Sequence, residues 1–186
     1  MKENQRIAVT KRMLKEGLLR LLREKELKNI RITELCGESG VNRATFYRHY
    51  ETVEDVLCEL ERDIARQMLP PSGMPTDLSQ VRSRLEEVFS FAAEHSDILK
   101  ILFRCNAEED MMRRINDFYK HYLELHNGSG IGVSVDEATG KSVAAFFAGG
   151  FYCLLRQWVD DGMEKSPAQI AEIATQLVRW PVSSKG

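Results

Sequence analysis

No stretch of this 186-residue chain is apolar for the roughly 18 residues that a membrane-crossing helix needs, so no span is expected. The opening residues, MKENQRIAVTKRML, hold no uninterrupted apolar segment and no small-residue cleavage site, and so do not read as a secretory signal. Cysteine is sparse. Cys36, Cys58, Cys105 and Cys153 stand far apart, without a CxxC pair. Each lies among apolar residues at helical spacing, which points to four buried, reduced thiols of a cytoplasmic protein rather than to disulfides or a metal site. Strand-like alternation of apolar and polar residues is absent at any length, as is any internal repeat, which leaves an all-α fold class. Proline is also scarce, and three of the five prolines fall in PPSGMP, Pro70 to Pro75, a segment that cannot continue a helix.

What is present is a 43% apolar chain, enough to bury a core as one compact domain or as a small domain joined to a larger one. Charge is unevenly spread. Residues 1–50 hold 12 Lys/Arg against 6 Asp/Glu, and the other 136 residues hold 14 against 22. A basic head on an acidic body suggests that the head meets a polyanion, although such runs are also ordinary solvated helix faces.

Periodicity and cap residues predict about nine helices. The first runs from about Asn4 to Lys25, with Ile7, Met13, Leu14, Leu18, Leu21 and Leu22 at three- and four-residue steps. After the connector ELKNIR, Thr33 is the expected N-cap of a short helix carrying Leu35 and Cys36, which Gly40 stops. Asn42 caps a helix over 43–49. Thr52 caps the next, with Asp55 in a variant capping box and Val56, Leu57, Leu60, Ile64 and Met68 on one face. Beyond PPSGMP, helices are expected from Asp77 or Ser79 to Ala93, from a Ser96 cap to Phe103, and from about Ala107 to His126. The glycine-rich NGSGIGVSVD has neither the preceding strand nor the following lysine of a phosphate-binding loop, and reads as a linker. Asp136 opens a long helix to Asp161, stopped by Gly162, and Ser166-Pro167 opens the last, to about Trp180. The domain organisation expected is a reading domain over 1–52, a connecting helix over 53–69, a Pro-rich loop over 70–77 and a C-terminal helical region over 78–186.

The segment GESGVNRATFYRHY, Gly37 to Tyr50, has the parts of a helix-turn-helix, spanning about 31–50. Gly40 allows a left-handed turn. Val41, Phe46 and Tyr50 would set the angle between the helices. Arg43, Ala44 and Thr45 would face base edges, since arginine is the commonest reader of guanine and threonine can pair or touch a thymine methyl. Tyr47, Arg48 and His49 would reach phosphates, and Thr33 at the start of the first short helix marks another phosphate position. The alternative is an ordinary helical hairpin in a bundle.

The stretch ITELCGESGVNRATFYRHYETVEDVL, Ile32 to Leu57, resembles the DNA-binding segment of the TetR/AcrR family of bacterial transcriptional regulators. The matching features are Thr33, the pair Leu35-Cys36, the turn Gly40-Val41, the cap Asn42, the variable triplet Arg43-Ala44-Thr45, and Phe46-Tyr47 with Tyr50. By that resemblance Thr33, Arg43, Thr45, Tyr47 and His49 fall at positions that usually contact DNA. The pattern usually starts the following helix with a phosphate-contacting lysine. Here that position is Val53, with Arg48 as a possible compensation, and Cys36 and Ser39 stand where alanines are commoner.

Phe146 to Val178 resembles the last two helices of a subset of the same family. There a glycine pair and a tryptophan mark the helix that forms a dimer. Phe147, Gly149, Gly150, Phe151, Leu154 and Trp158, with Ile170, Ile173 and Leu177, make up the expected interface, unless they form an internal core. The resemblance implies a homodimeric repressor that binds palindromic double-stranded DNA and is released by a small apolar effector, with Phe91, Leu102, Phe103, Met111, Phe118, Tyr122 and Trp158 as pocket or core. The other reading is a regulator or activator that senses no ligand and works through a protein partner. No cofactor, metal site or catalytic residue is expected. His121 and His126 fall on different helix faces, and Asp117 and His121 have no nucleophile beside them in sequence.

Overall fold

A computed structural model describes residues 2–69, 78–105, 111–117 and 137–179. Every regular element among them is helical, and the chain divides into two compact units. Unit 1 is Met1–Ile64 with Ile101–Glu108, and unit 2 is Ala65–Lys100 with Glu109–Gly186. None of the described helices is long and apolar enough to cross a membrane.

Unit 1 is built on α1, Lys2–Glu24. Its stripe of Leu14, Leu18, Leu21 and Leu22 is buried, whereas Ile7 and Met13, expected on the same face, are 36% and 37% exposed. A 3-10 turn, Leu27–Asn29, leads to α2, Ile32–Ser39, and then α3, Arg43–Phe46, and α4, Val53–Met68. The α4 cap is the expected box. Asp55 N–H donates to Thr52 Oγ1 at 3.1 Å, while Glu51 and Thr52 N–H donate to Asp55 Oδ2 at 2.9 and 2.8 Å. Those backbone bonds, Thr52 first and then Glu51, hold the Asp55 carboxyl below its usual range. The stripe Val53, Val56, Leu57, Leu60 and Ile64 is buried. The last turn of α6, Ser96–Arg104, also contributes, with Ile101, Leu102 and Phe103 buried and Arg104 Nη2 donating to the Leu22 carbonyl at the end of α1. Carbonyls in the last turn of a helix have no intrahelical donor, so this contact satisfies one of them.

In unit 2, α5, Leu78–Glu94, packs on α9, Pro167–Arg179, and both touch α8, Glu137–Asp160. The short helical stretch α7, residues 111–117, buries Met111 and Ile115. Phe89 on α5 anchors the core, its ring 5.6 Å from Phe151 and 5.2 Å from Trp158 between centroids. Trp158 Nε1 donates to the Lys165 carbonyl at 2.9 Å. Gly162 ends α8 with φ 81°, where the Met163 amide bonds back to the Trp158 carbonyl. Ser166 and Gln169 cap α9 reciprocally, Ser166 N–H donating to Gln169 Oε1 at 2.9 Å and Gln169 N–H to Ser166 Oγ at 3.3 Å.

Several sequence-based expectations need correction. Thr33 is not the cap of α2. Arg31 occupies that position, extended and without a side-chain cap bond, and its carbonyl accepts from Glu34 and Leu35 N–H. The helix starts where the chain leaves buried Ile30, so burial, not the nearest hydroxyl, sets its first residue. The expected helix over 43–49 is α-helical only through Phe46. It then tightens into i→i+3 bonds, Arg48 N–H to Thr45 O and His49 N–H to Phe46 O, which bring Tyr50 back inward. Ser96 is the first residue of α6 rather than its cap, because the His95 carbonyl takes the first bonds. Of the four cysteines, only Cys36 is buried. Cys105 is half-buried, and Cys58 and Cys153 are exposed, standing off the buried stripes of α4 and α8. The PPSGMP and NGSGIGVSVD segments, and most of the helix expected over 107–126 with Phe118, Tyr122, His121 and His126, lie outside the described residues.

Candidate nucleic-acid interface

The interface is a short helix held from beneath. The α1–α2 crossing is close: a Cβ added to Gly17 would lie 3.0 Å from Ser39 Cβ. Ser39 fits because it is small and because its hydroxyl donates to the Leu35 carbonyl at 2.7 Å, so its burial strands no polar atom. Gly40 then takes the left-handed conformation, φ 68°, and the Val41 amide bonds back to the Cys36 carbonyl at 3.1 Å. Asn42 Oδ1 accepts from Thr45 N–H at 2.8 Å, capping α3. Phe46 is fully buried, edge-on to Tyr47 with ring centroids 5.5 Å apart and tilted against Tyr50 at 5.9 Å. Val41 and Tyr50 are buried with it.

Above this anchor Asn42, Arg43, Ala44, Tyr47 and Arg48 are exposed, and Thr45 and His49 half-buried. Thr33 is exposed on α2. Arg43 and Arg48 form no ion pair among the described residues, whereas most described cations of α1, and Lys25 just beyond its end, are engaged. Lys11 meets Glu59 at 2.7 Å, Lys15 meets Glu59 at 3.0 Å and also Asp63, and Arg20 and Lys25 meet Glu38 and Glu34 on α2. Sequence composition counts these cations as part of a basic head, yet ion pairing neutralises them in place. Among the described residues of the head, Arg6, Arg23, Arg31, Arg43 and Arg48 are left outside ion pairs.

Lys11, Lys15, Glu59 and Asp63 tie α1 to α4, and Lys11 Nζ lies 5.3 Å from the centre of the Tyr50 ring. Burial, then the charge of Glu59, pushes the Tyr50 phenol well above its ordinary range. Partial burial of Glu59 opposes its ionised form, but hydrogen bonds from Lys11 and Lys15 outweigh it and bring its pKa from 4.5 to about 2. A carboxylate with a depressed folded pKa stabilises above its unfolded value and loses that contribution as pH falls through the folded one. Unit 1 is therefore expected to lose stability between pH 4.5 and about 2, and Glu59→Gln to lack that part of the dependence. Denaturant titrations at a series of pH values check it; parallel pH profiles for wild type and variant would contradict it.

The other candidate residues are divided between the units. Leu102 and Phe103 are buried in unit 1, while Phe91 is half-buried and Met111 and Trp158 buried in unit 2. On α8 and α9, Phe151, Trp158 and Ile170 are buried within the unit, Phe147, Gly149, Leu154 and Ile173 are half-buried, and Gly150 and Leu177 are exposed. Sequence reasoning missed Phe146, a large apolar residue on α8 that is 77% exposed. Its neighbour Phe147 has the same composition signal, and only the rotation of the helix separates them. His95, half-buried, packs at a tilt against Phe91, with ring centroids 4.3 Å apart.

The chain matches, over residues 80–179, the family model described as the transcriptional regulator C-terminal region of TetR proteins. Two uncharacterised HTH-type transcriptional regulators of Bacillus subtilis are similar to it. YxbF is 22% identical over 89% of this chain, which spans only 43% of that relative's length. YdgC is 26% identical over 84% of each chain. Among solved structures, a TetR-family regulator from Syntrophomonas wolfei superposes with a TM-score of 0.74 at 18% identity, covering 94% of this chain and 96% of that one. Thermus thermophilus FadR, a TetR-family repressor in complex with lauroyl-CoA, superposes with a TM-score of 0.61 at 16% identity, covering 95% and 96%. The fold is shared with both. With a family model matched over more than half of its length, the chain belongs to the TetR family of transcriptional regulators.

Proposed function

We propose that this regulator is a homodimeric repressor that binds a palindromic operator through α3 and leaves it when an apolar small molecule binds. In this reading residues 1–52 form the DNA-binding domain, 53–69 the connecting helix, 70–77 a loop, and 78–186 the region that dimerises and takes the effector. The observation that carries it is the capped helix over buried Phe46 and the tight turn after it, where Arg43 and Arg48 stand exposed and, among the described residues, unpaired, while Lys11, Lys15, Arg20 and Lys25 are engaged in ion pairs. Arg43, Ala44 and Thr45 contact bases. Thr33, Tyr47, Arg48 and His49 contact phosphates, and Asn42 holds the helix start.

Dimerisation follows from geometry. One reading helix covers few bases, and two about 34–36 Å apart match successive turns of the major groove. The exposed apolar residues Phe146 and Leu177, and the open space over Gly149 and Gly150, support α8 and α9 as the contact. Phe91, Met111 and Trp158 in unit 2 supply apolar and polarisable side chains for an effector. FadR, of the same fold, is a repressor bound to lauroyl-CoA, which makes a long-chain acyl compound a first ligand class to screen.

The test begins with selection of bound sites from a random duplex pool. Arg43→Ala is expected to weaken binding to the selected site by about 1–3 kcal/mol, with little change for unrelated duplex. Equal losses on both would make Arg43 a phosphate contact, and failure of the wild-type protein to enrich any site would remove the DNA-reading function.

A further inference from the structure

Tyr50 closes the segment that follows α3. Its amide donates to the Phe46 carbonyl at 3.0 Å, and its ring tilts against the Phe46 ring. The Asn42 cap holds α3 at its start, so Phe46 and Tyr50 hold it at its end. Four α-helical residues cannot fix their own direction, and a shift of the Tyr50 ring passes through Phe46 to the helix.

No directional bond holds that ring. Tyr50 is 5% exposed, and its hydroxyl makes no hydrogen bond among the described residues. A buried donor without an acceptor is costly, so the hydroxyl will take an acceptor that comes free beside it. The first charge acting on it is that of Glu59.

Glu59 is withheld from it. Lys11 Nζ donates to Glu59 Oε2 at 2.7 Å, and Lys15 Nζ lies 3.0 Å from Oε1, so each carboxylate oxygen is drawn to an ammonium. Lys15 is also paired with Asp63. The second contact of Lys11 is of another kind: its Nζ lies 5.3 Å from the centre of the Tyr50 ring. One ammonium therefore engages both the face of the ring and the acceptor that its hydroxyl lacks.

We infer that Lys11 is a positioning residue for the reading helix: by holding Glu59 and covering the Tyr50 ring, it keeps the Tyr50 hydroxyl off the carboxylate and the ring against Phe46. This rests on the DNA-reading function proposed above. Without the ammonium the hydroxyl donates to Glu59, the ring swings toward the carboxylate, and α3 tilts with Phe46.

The test makes two measurements on the full chain. The first needs no DNA. With isotope-labelled tyrosine, Lys11→Gln should shift the ring resonance of Tyr50, identified by its loss in Tyr50→Phe, and adding Glu59→Ala should remove the shift. The second compares the site selected from the random pool with an unrelated duplex. Lys11→Gln is expected to weaken binding to the selected site by about tenfold. The unrelated duplex should be bound as before, because the charge removed is already paired. In a Tyr50→Phe background, where no hydroxyl can be recruited, the same substitution should weaken the selected site by less than about threefold, through the lost cation–ring contact alone. Equal losses on both duplexes would make Lys11 a phosphate contact, and an undiminished loss in the Tyr50→Phe background would make it a plain tie between α1 and α4. Either result overturns the inference, as does a Tyr50 resonance that stays in place or a selected site bound as tightly by Lys11→Gln as by wild type. If the wild-type protein enriches no site, the DNA-reading function itself falls, and the positioning role with it.

Discussion

Phe46→Ala should destabilise unit 1 by about 3–5 kcal/mol and abolish operator binding. Phe46 is fully buried, and it carries both aromatic contacts that hold α3, to Tyr47 and to Tyr50. Since α3 has only four α-helical residues, it has no stability of its own. Its orientation depends on this one side chain, the Asn42 cap and the Gly40 turn. Truncation leaves a cavity beneath α3 that the short helix can fill only by tilting, which would move Arg43 and Thr45 from the base edges they are proposed to face. A whole domain is stable by only about 5–15 kcal/mol, so the loss is a large fraction of the total. Urea unfolding followed by tyrosine fluorescence and circular dichroism measures it. A change below about 1 kcal/mol would mean that Phe46 is not the anchor.

Gly150→Glu should leave the folded chain intact and destroy the dimer. The Cβ of any residue at this position meets nothing within 4 Å inside the chain. Replacing glycine within α8 also removes a backbone-entropy penalty of about 0.5–1 kcal/mol. Thermal stability of the monomeric form should therefore stay level or rise. In the proposed dimer the same site is where two helices approach, and the substitution would bury two like charges about the two-fold axis, without partners. Sedimentation should show monomers at concentrations where the wild type is dimeric. Operator affinity should fall by two orders of magnitude or more, because a single half-site then carries the whole interaction. A variant that still sediments as a dimer would place the interface elsewhere.

These two residues mark different limits of legibility. Phe46 was readable because its signal is local: the turn glycine, the asparagine cap and the aromatic spacing all lie within ten residues. The Thr52–Asp55 capping box and the Ser166 cap are legible for the same reason, whereas the reciprocal bond from Gln169 appears only in the structure. The α2 start was misread because Thr33 offers a plausible hydroxyl, while burial of Ile30 moves the boundary to Arg31. On α8 the apolar residues are so dense that periodicity does not say which face is inward. Phe151 and Trp158 turn in to Phe89, and Phe146 turns out.

By itself, then, the sequence determined the all-helical class and the turn, cap and buried anchor of the segment over 37–50. Propensity, capping and turn chemistry act over a few residues and are written in order along the chain. Tertiary structure decided which cysteines and phenylalanines are exposed, where Leu102 and Phe103 belong, and which cations are free. Ion pairs such as Lys11–Glu59 and Lys15–Asp63 join residues 48 apart, and only the packing of α1 against α4 brings them within reach. The net charge of the head was countable from composition, but the positive surface left for DNA depends on those partners.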